Sequence, residues 1–151
     1  MQPSIVTAIN QAWHWTGVEA AEVICTNAFG NVLFRTVAYD YWRICPEELR
    51  CERVAADRIE LGELLADPEF ALDWEMSKLV EAATAKLGDL EDGQAFCLRV
   101  PAVLGGTYDN ENLAVLPSLE LLAVSGDLAH QIKDLPEGQR VRLTVRKTPK
   151  P

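Results

Sequence analysis

The chain has 151 residues, of which 48% are apolar and 25% are charged, the composition of a globular protein with one core. No stretch approaches the roughly 18 consecutive apolar residues of a membrane-spanning helix. The first 15 residues lack the basic-then-apolar pattern of a secretory signal. We therefore expect a cytoplasmic protein with a single domain over residues 1–147 and a frayed basic tail over residues 148–151.

The charge is unevenly distributed along the chain. The net charge is −9, but the residues from position 138 onward carry five bases and no acid. The preceding 137 residues hold nine bases against all 23 acids, a net charge of −14. Such a body repels nucleic acid and attracts basic surfaces. Solubility alone is the alternative explanation of this charge.

The first third of the chain predicts one helix and three strands. Residues 4–16 can form a helix, because a serine is placed to cap it and apolar side chains recur on one face. Short apolar runs bounded by turn residues then predict strands over 31–36, 41–45 and 51–55. Residues 18–30 carry turn signals and receive no assignment.

Two helices follow in the middle of the chain. Asp57 is placed to cap a helix that runs to about residue 66, and Asp67 with Pro68 begins a second one that ends at Gly88. Apolar residues at steps of three and four predict the buried stripe of this second helix, which comprises Leu72, Met76, Leu79, Ala83 and Leu87.

The last third mixes both kinds of element. It predicts a strand over 94–100, a glycine-rich loop over 104–112, a helix from about 117 to 133 and a final alternating strand over 140–146. The inner face of the helix is expected to hold Leu121, Val124, Leu128 and Ile132. Strands at both ends with helices between them favour an α+β fold, a mainly antiparallel sheet with about four packing helices.

The sequence predicts no catalytic residue and no cofactor site. Only His14 and His130 can act as uncharged bases near pH 7, and neither lies beside a recognisable nucleophile motif. The Gly105–Gly106 pair fits neither a P-loop nor a dinucleotide-binding fingerprint. An enzymatic site around Cys45, Tyr41 and the glycine loop is the open alternative, and it would need a thiolate with a lowered pKa.

Metal binding and disulfides are also not expected. The four cysteines show no CxxC spacing and no histidine nearby in sequence, so we expect free, mostly buried thiols and no metal site at Cys25, Cys45, Cys51 and Cys97.

An acidic run is the best-defined surface feature. Six acids and no base stand between Arg58 and Lys78. On two successive helices they would form a negative face that attracts a basic partner and speeds encounter. The alternative is an ordinary solvated surface. Trp74 lies within the run, where it can serve an interface or pack in the core.

Four stretches in chain order carry a family resemblance: FGN at 29–31, YWRICPEEL at 41–49, PAVLGGTYDNENL at 101–113 and HQIKDLPEG at 130–138. Together, over about residues 18–145, they resemble the C-terminal domain family of type VI secretion DNase-immunity proteins, which was first catalogued as a domain of unknown function. Their residue types are those of turns and packing, so they mark the scaffold and do not identify contacts.

The resemblance implies an immunity protein that binds and neutralises a cognate antibacterial toxin, a type VI secretion nuclease effector, without catalysis. The expected partner is a toxin with a basic surface, not nucleic acid or a membrane. The tentative partner-binding residues are first the six acids of the run and second two acids of the glycine loop, namely Glu60, Glu63, Asp67, Glu69, Asp73, Glu75, Asp109 and Glu111. A structural or regulatory interaction module without a toxin partner is the alternative.

Overall fold

The computed structural model describes residues 4–135 of the chain, which form five α-helices and six strands. The helices are α1 (Ile5–Trp13), α2 (Arg58–Ala66), α3 (Pro68–Glu75), α4 (Ser77–Leu87) and α5 (Ser118–Ile132). The strands are β1 (Ala20–Thr26), β2 (Val32–Thr36), β3 (Tyr41–Cys45), β4 (Arg50–Ala55), β5 (Gln94–Leu98) and β6 (Leu113–Pro117).

The strands form two antiparallel sheets. The larger sheet has the order β1-β2-β3-β4, so each strand pairs with its neighbour in sequence. The smaller sheet pairs β5 with β6. With helices packed on these sheets, the structure confirms the predicted α+β class and the antiparallel pairing.

Both faces of the larger sheet are covered, because side chains alternate along its central strands. Val32, Phe34 and Ile44 are buried on the face that packs against α1 and α5. Leu33 and Tyr41 point to the opposite face, where they pack with residues of α2 and α3. The two central strands are therefore largely buried on both sides, and β2 is an almost continuous buried run.

The smaller sheet also has two covered faces. Phe96, Leu98 and Leu113 pack against α4 and against Phe29 of the turn before β2. Ala95 and Cys97 of the same sheet pack against α5. A hydrogen bond from the Phe96 amide to the Ala28 carbonyl, 2.8 Å long, joins this sheet to the turn between β1 and β2.

Helices α1 and α5 cross closely at a glycine. A Cβ atom on Gly126 would lie 2.4 Å from the Ala12 carbonyl oxygen. Beside this crossing, Trp15 donates to the carbonyl oxygens of Ala12 and Gly126, and its ring stacks on His130 with centroids 4.9 Å apart. Glycine is thus required where the two backbones meet.

The structure corrects the predicted long helix over 67–87. The helix is broken at Met76, whose φ of 48° lies in the left-handed region, and it forms two helices, α3 and α4. The predicted buried stripe is consequently wrong at its start, since Leu72 is 71% exposed. Of that stripe Ala83 is buried, while Leu79 and Leu87 pack partly buried around it.

The predicted face of α5 is also corrected. Its buried residues are Leu121, Leu122, Ser125, Gly126 and Ala129, and Val124 is exposed. The face is rotated because Gly126 and its neighbours meet α1.

Two strands escaped prediction, and one predicted strand cannot be compared. β1 lies in the unassigned stretch, where two register irregularities break its alternation, and β6 occupies residues left between a loop and a helix. The predicted strand over 140–146 and the tail over 148–151 lie outside the described residues. Within residues 4–135, no helix is both long and apolar enough to cross a membrane.

Gly126→Ala should destabilise the protein by about 1–3 kcal/mol, the usual cost of overpacking, because the new methyl would collide with the α1 backbone. Gly62→Ala is the matched control. Gly62 lies in α2 with no atom near its Cβ position, so alanine there should stabilise by roughly 0.5–1 kcal/mol. Urea unfolding of both variants measures this difference, and equal effects would refute the close crossing.

Candidate functional site

The acidic run lies on α2 and α3, which follow each other through Asp67. Asp57 accepts a hydrogen bond from the Glu60 amide at 2.9 Å and caps α2, and Asp67 accepts one from the Glu69 amide at 3.0 Å and caps α3. Carboxylates in these positions satisfy free N–H groups and complement the helix dipole. Part of the acidic run is therefore needed to begin the helices.

All eight predicted partner-binding acids are exposed. Six lie on α2, on α3 or between them, and two lie in the loop between β5 and β6, next to α4: Glu60, Glu63, Asp67, Glu69, Asp73 and Glu75, then Asp109 and Glu111. Lys86 of α4 donates to the Asn110 carbonyl and joins this loop to the helix. Their exposure is compatible with the predicted role, and the role stays a prediction.

Large apolar side chains are exposed among the six acids of the helices. Ile59 is 74% exposed, Leu72 is 71% exposed and Leu65 is 47% exposed. Exposed apolar side chains with polar residues around them can contribute to surfaces that bind other proteins. We define the α2–α3 surface as the six acids from Glu60 to Glu75 together with these three apolar residues.

Half of the acids on this surface also have partners within the protein. Glu60 accepts from the Ala56 amide at 2.6 Å, Asp67 caps α3, and Asp73 pairs with Arg43 at 2.5 Å. Within the described part of the chain, the other three acids make no side-chain hydrogen bond or ion pair: Glu63, Glu69 and Glu75. These three carboxylates are therefore the most available for interaction with a partner protein.

Arg43 holds α3 on the sheet. It projects from β3, is 6% exposed, and lies under two aromatic rings, with its guanidinium carbon 5.0 Å from the Trp74 ring centre and 5.7 Å from that of Phe70. Its ion pair with Asp73 adds a third contact to the same helix. Cation–π and ionic contacts strengthen when water is excluded, so α3 is fixed by one buried cation.

The other side of Arg43 belongs to a buried polar network. Its Nε and Nη2 donate to Asn31 Oδ1 at 3.1 and 2.9 Å. Asn31 Nδ2 in turn donates to both carboxylate oxygens of Glu47, at 3.1 and 2.9 Å. Burial raises the pKa of Glu47 to about 7, although the Asn31 hydrogen bonds and the charge of Arg43 oppose that rise. The network links the surface carboxylate of Asp73 to the buried one of Glu47.

A second amide fixes the end of α3. Asn27 accepts from the Phe29 and Asn31 amides at 3.0 Å, which shapes the turn before β2. Its Nδ2 donates to the Trp74 carbonyl at 2.9 Å. The Trp74 carbonyl therefore accepts a hydrogen bond from a residue outside α3, close to the break at Met76. This bond joins the turn before β2 to the junction between α3 and α4.

The loop that carries Asp109 and Glu111 is ordered by one side chain. Asn112 accepts from the Val100 amide and donates to the carbonyls of Val100 and Thr107, all at 2.8–2.9 Å. A Cβ on Gly106 would lie 1.7 Å from the Val100 carbonyl oxygen. The glycine is required by this close approach.

The thiols do not meet the condition set by the enzymatic alternative. Burial raises the pKa of Cys45 and of Cys97 to about 11 and that of Cys51 to about 12, and it also raises the pKa of Cys25. A cysteine nucleophile needs a lowered pKa. All four thiols are free, and those of Cys45 and Cys97 are buried. Among residues 4–135, no cluster of metal-ligating side chains is placed to hold an ion.

The network residues were missed as a group by sequence reasoning. Asn31, Arg43 and Glu47 fall inside two of the stretches that carry the family resemblance, but they read there as ordinary turn and strand residues. The available signal was a lone arginine inside the apolar strand YWRIC, since a charge in a buried strand requires partners.

The chain matches a family model and is similar to solved protein structures. Residues 55–129 match the model of the family described as T6SS immunity protein Tdi1, C-terminal. The chain is also similar to the solved structure described as "Crystal structure of Atu4351 from Agrobacterium tumefaciens", with 21% identity, a TM-score of 0.45 and coverage of 66% of this chain. It spans 50% of the length of that protein. No curated protein matches the chain.

Glu47→Gln should remove a pH-dependent loss of stability. Because the folded pKa of about 7 exceeds the usual 4.5, the folded state binds an extra proton between these values. Stability from this group therefore falls as pH rises through that window, by at most about 3 kcal/mol. Urea unfolding at pH 5 and pH 8 should show the loss in the wild type but not in the variant. Glu48→Gln, next to it on the chain, should retain the wild-type difference, and retention in both variants would contradict the buried position of Glu47.

Proposed function

We propose, because residues 55–129 match the family described as T6SS immunity protein Tdi1, C-terminal, that the chain is an immunity protein of this family that binds and neutralises a cognate antibacterial toxin. The toxin is a type VI secretion nuclease effector, and the immunity protein acts in the cytoplasm of the producing cell. It works by stoichiometric binding that covers or distorts the toxin's active site, without turnover.

The family match is the observation that carries this proposal. The matched residues include the whole α2–α3 surface and the loop with Asp109 and Glu111. All eight acids predicted to bind the partner are therefore part of the family domain. Their exposure leaves them accessible to a second protein.

Charge complementarity explains why an acidic surface suits this task. A nuclease grips phosphates with basic side chains, so an acidic inhibitor can imitate the charge of the substrate. The first 137 residues carry a net charge of −14, and the six acids of the α2–α3 surface concentrate it on one pair of helices. Long-range attraction would speed encounter, and Ile59, Leu65 and Leu72 would supply apolar contact once the surfaces meet.

The direct test is co-purification with the product of the neighbouring gene at low and at high salt. We expect a tight complex of fixed stoichiometry in which the toxic activity is silenced. Absence of a complex at either salt concentration, or absence of a toxin gene nearby, would favour the regulatory interaction module instead.

Charge reversal should distinguish a specific role of the α2–α3 surface in toxin binding from an effect of the total negative charge. The triple variant Glu63→Lys, Glu69→Lys and Glu75→Lys removes acids that have no partner within residues 4–135, so the fold should persist. We expect the association rate with the toxin to fall about ten-fold at low salt and the difference to shrink at high salt. Stopped-flow binding measures both.

The matched control makes the same change in net charge at other positions, because it replaces the exposed residues Glu19, Glu81 and Asp89 with lysine. It should slow association much less. Equal slowing in both triple variants would mean that only total charge matters. The pair Asp109→Lys and Glu111→Lys tests the second predicted group in the same assay, and a further loss of rate is expected if the loop also faces the toxin.

A further inference from the structure

A cavity of about 250 Å³ lies between the turn at residues 46–48, the smaller sheet and α5. Its walls are mostly apolar and include Leu49, Leu116, Leu121, Val124 and Leu128. Glu47, whose carboxylate hydrogen-bonds to Asn31, is one of the residues that line the cavity, and Arg99 is an exposed base that also lines it. A single water molecule needs only about 10–15 Å³ of such volume, so the cavity can admit a much larger group.

Glu47 is a buried acid that hydrogen-bonds to an amide and makes no direct ion pair within residues 4–135, although the charge of Arg43 acts on it. It is 6% exposed, and its two oxygens accept hydrogen bonds from Asn31. Among residues 4–135 it has no ion-pair partner, since Arg43 pairs with Asp73 and contacts the oxygen of Asn31 instead. Buried carboxylates are normally paired with a cation, and Glu47 has no such pair within residues 4–135.

We propose that the cavity is a socket for one lysine or arginine side chain of the toxin, whose charged group pairs with Glu47. This inference rests on the proposed function and names a contact that it leaves open. Long basic side chains lay their methylene groups along apolar surface while the charged end finds a polar partner. The mostly apolar walls suit the methylene groups of such a side chain, and Glu47 among the lining residues suits its charged end.

Other occupants fit the walls less well. An apolar side chain would bury Glu47 further without a partner, and an acidic one would repel it. Ser125, another polar residue of the wall, already donates to the Leu122 carbonyl at 3.2 Å. A basic side chain is also the type that a phosphate-binding toxin surface offers most often.

The charge of Glu47 can be varied by changing the pH. The other titratable or charged groups around it are Arg43, Cys45, Glu48, Cys97, Arg99 and Tyr108. Burial raises the pKa of the two thiols to about 11 and that of the Tyr108 hydroxyl to about 12, so all three stay neutral up to pH 8. Between pH 6 and pH 8, Glu47, with a pKa of about 7, is thus the group that changes charge here.

The affinity of the full chain for the toxin tests the socket. The wild type should bind about ten-fold more weakly at pH 6 than at pH 8, because a carboxyl with a pKa near 7 is then largely protonated. Glu47→Gln should bind about ten-fold more weakly at pH 8 and lose this part of the pH dependence. Glu48→Gln should behave like the wild type, since Glu48 pairs with Arg50 and does not line the cavity.

A second variant keeps the test valid if Glu47→Gln folds poorly. Val124→Trp changes an exposed residue of the cavity wall and should weaken toxin binding by narrowing the cavity. Unchanged affinity in both variants, with an intact complex, would overturn the socket and leave the immunity function standing. A wild type that binds no toxin would overturn the function itself.

A small probe examines the cavity without the toxin. Butylguanidinium is titrated at pH 8 and its binding is followed by amide NMR. In the wild type it should shift the amide signals of residues 46–49 and 121–128, and in Glu47→Gln its affinity should be at least five-fold weaker. The neutral analogue 1-butanol should not produce these shifts. If butylguanidinium binds only after Arg140 and Arg142 are changed to glutamine, the occupant is the chain's own C-terminal segment, and the proposal is wrong.

Discussion

A guanidinium group buried in the centre of a sheet must be satisfied by its surroundings, and Arg43 sets this constraint. Leaving such a cation without partners would cost several kcal/mol. Its partners come from different parts of the chain: Asn31 from the turn before β2, and Phe70, Asp73 and Trp74 from α3. The position of α3 is therefore determined by a residue of β3, and Asn31 extends the same dependence to Glu47.

The two surfaces proposed to meet the toxin stand at the ends of this network. At one end, Asp73 lies on the α2–α3 surface and pairs with Arg43. At the other end, Glu47 lines the cavity beside α5. The scaffold thus holds an exposed acidic surface and a buried carboxylate by one set of hydrogen bonds, which suits a protein that has to bind without rearranging.

Local patterns were enough to predict β2, β3, α1, α2 and the antiparallel α+β class, because alternation and helix caps are written within a few residues. Long-range contacts were not visible in this way. The break at Met76 depends on Asn27 binding the Trp74 carbonyl, and the rotated face of α5 depends on Gly126 meeting α1. The exposed acids could also be located from the sequence, because a run of like charges is a local pattern. The network of Asn31, Arg43 and Glu47 could not, because its hydrogen bonds join different elements.

Amide hydrogen exchange of the full chain, alone and saturated with the toxin, tests the central claim most directly. If the α2–α3 surface is the docking site, exchange should slow in residues 58–75 on binding, and the slowing should weaken as salt is raised. Protection confined to other elements, such as α1 and β1, with unchanged exchange in residues 58–75, would contradict it.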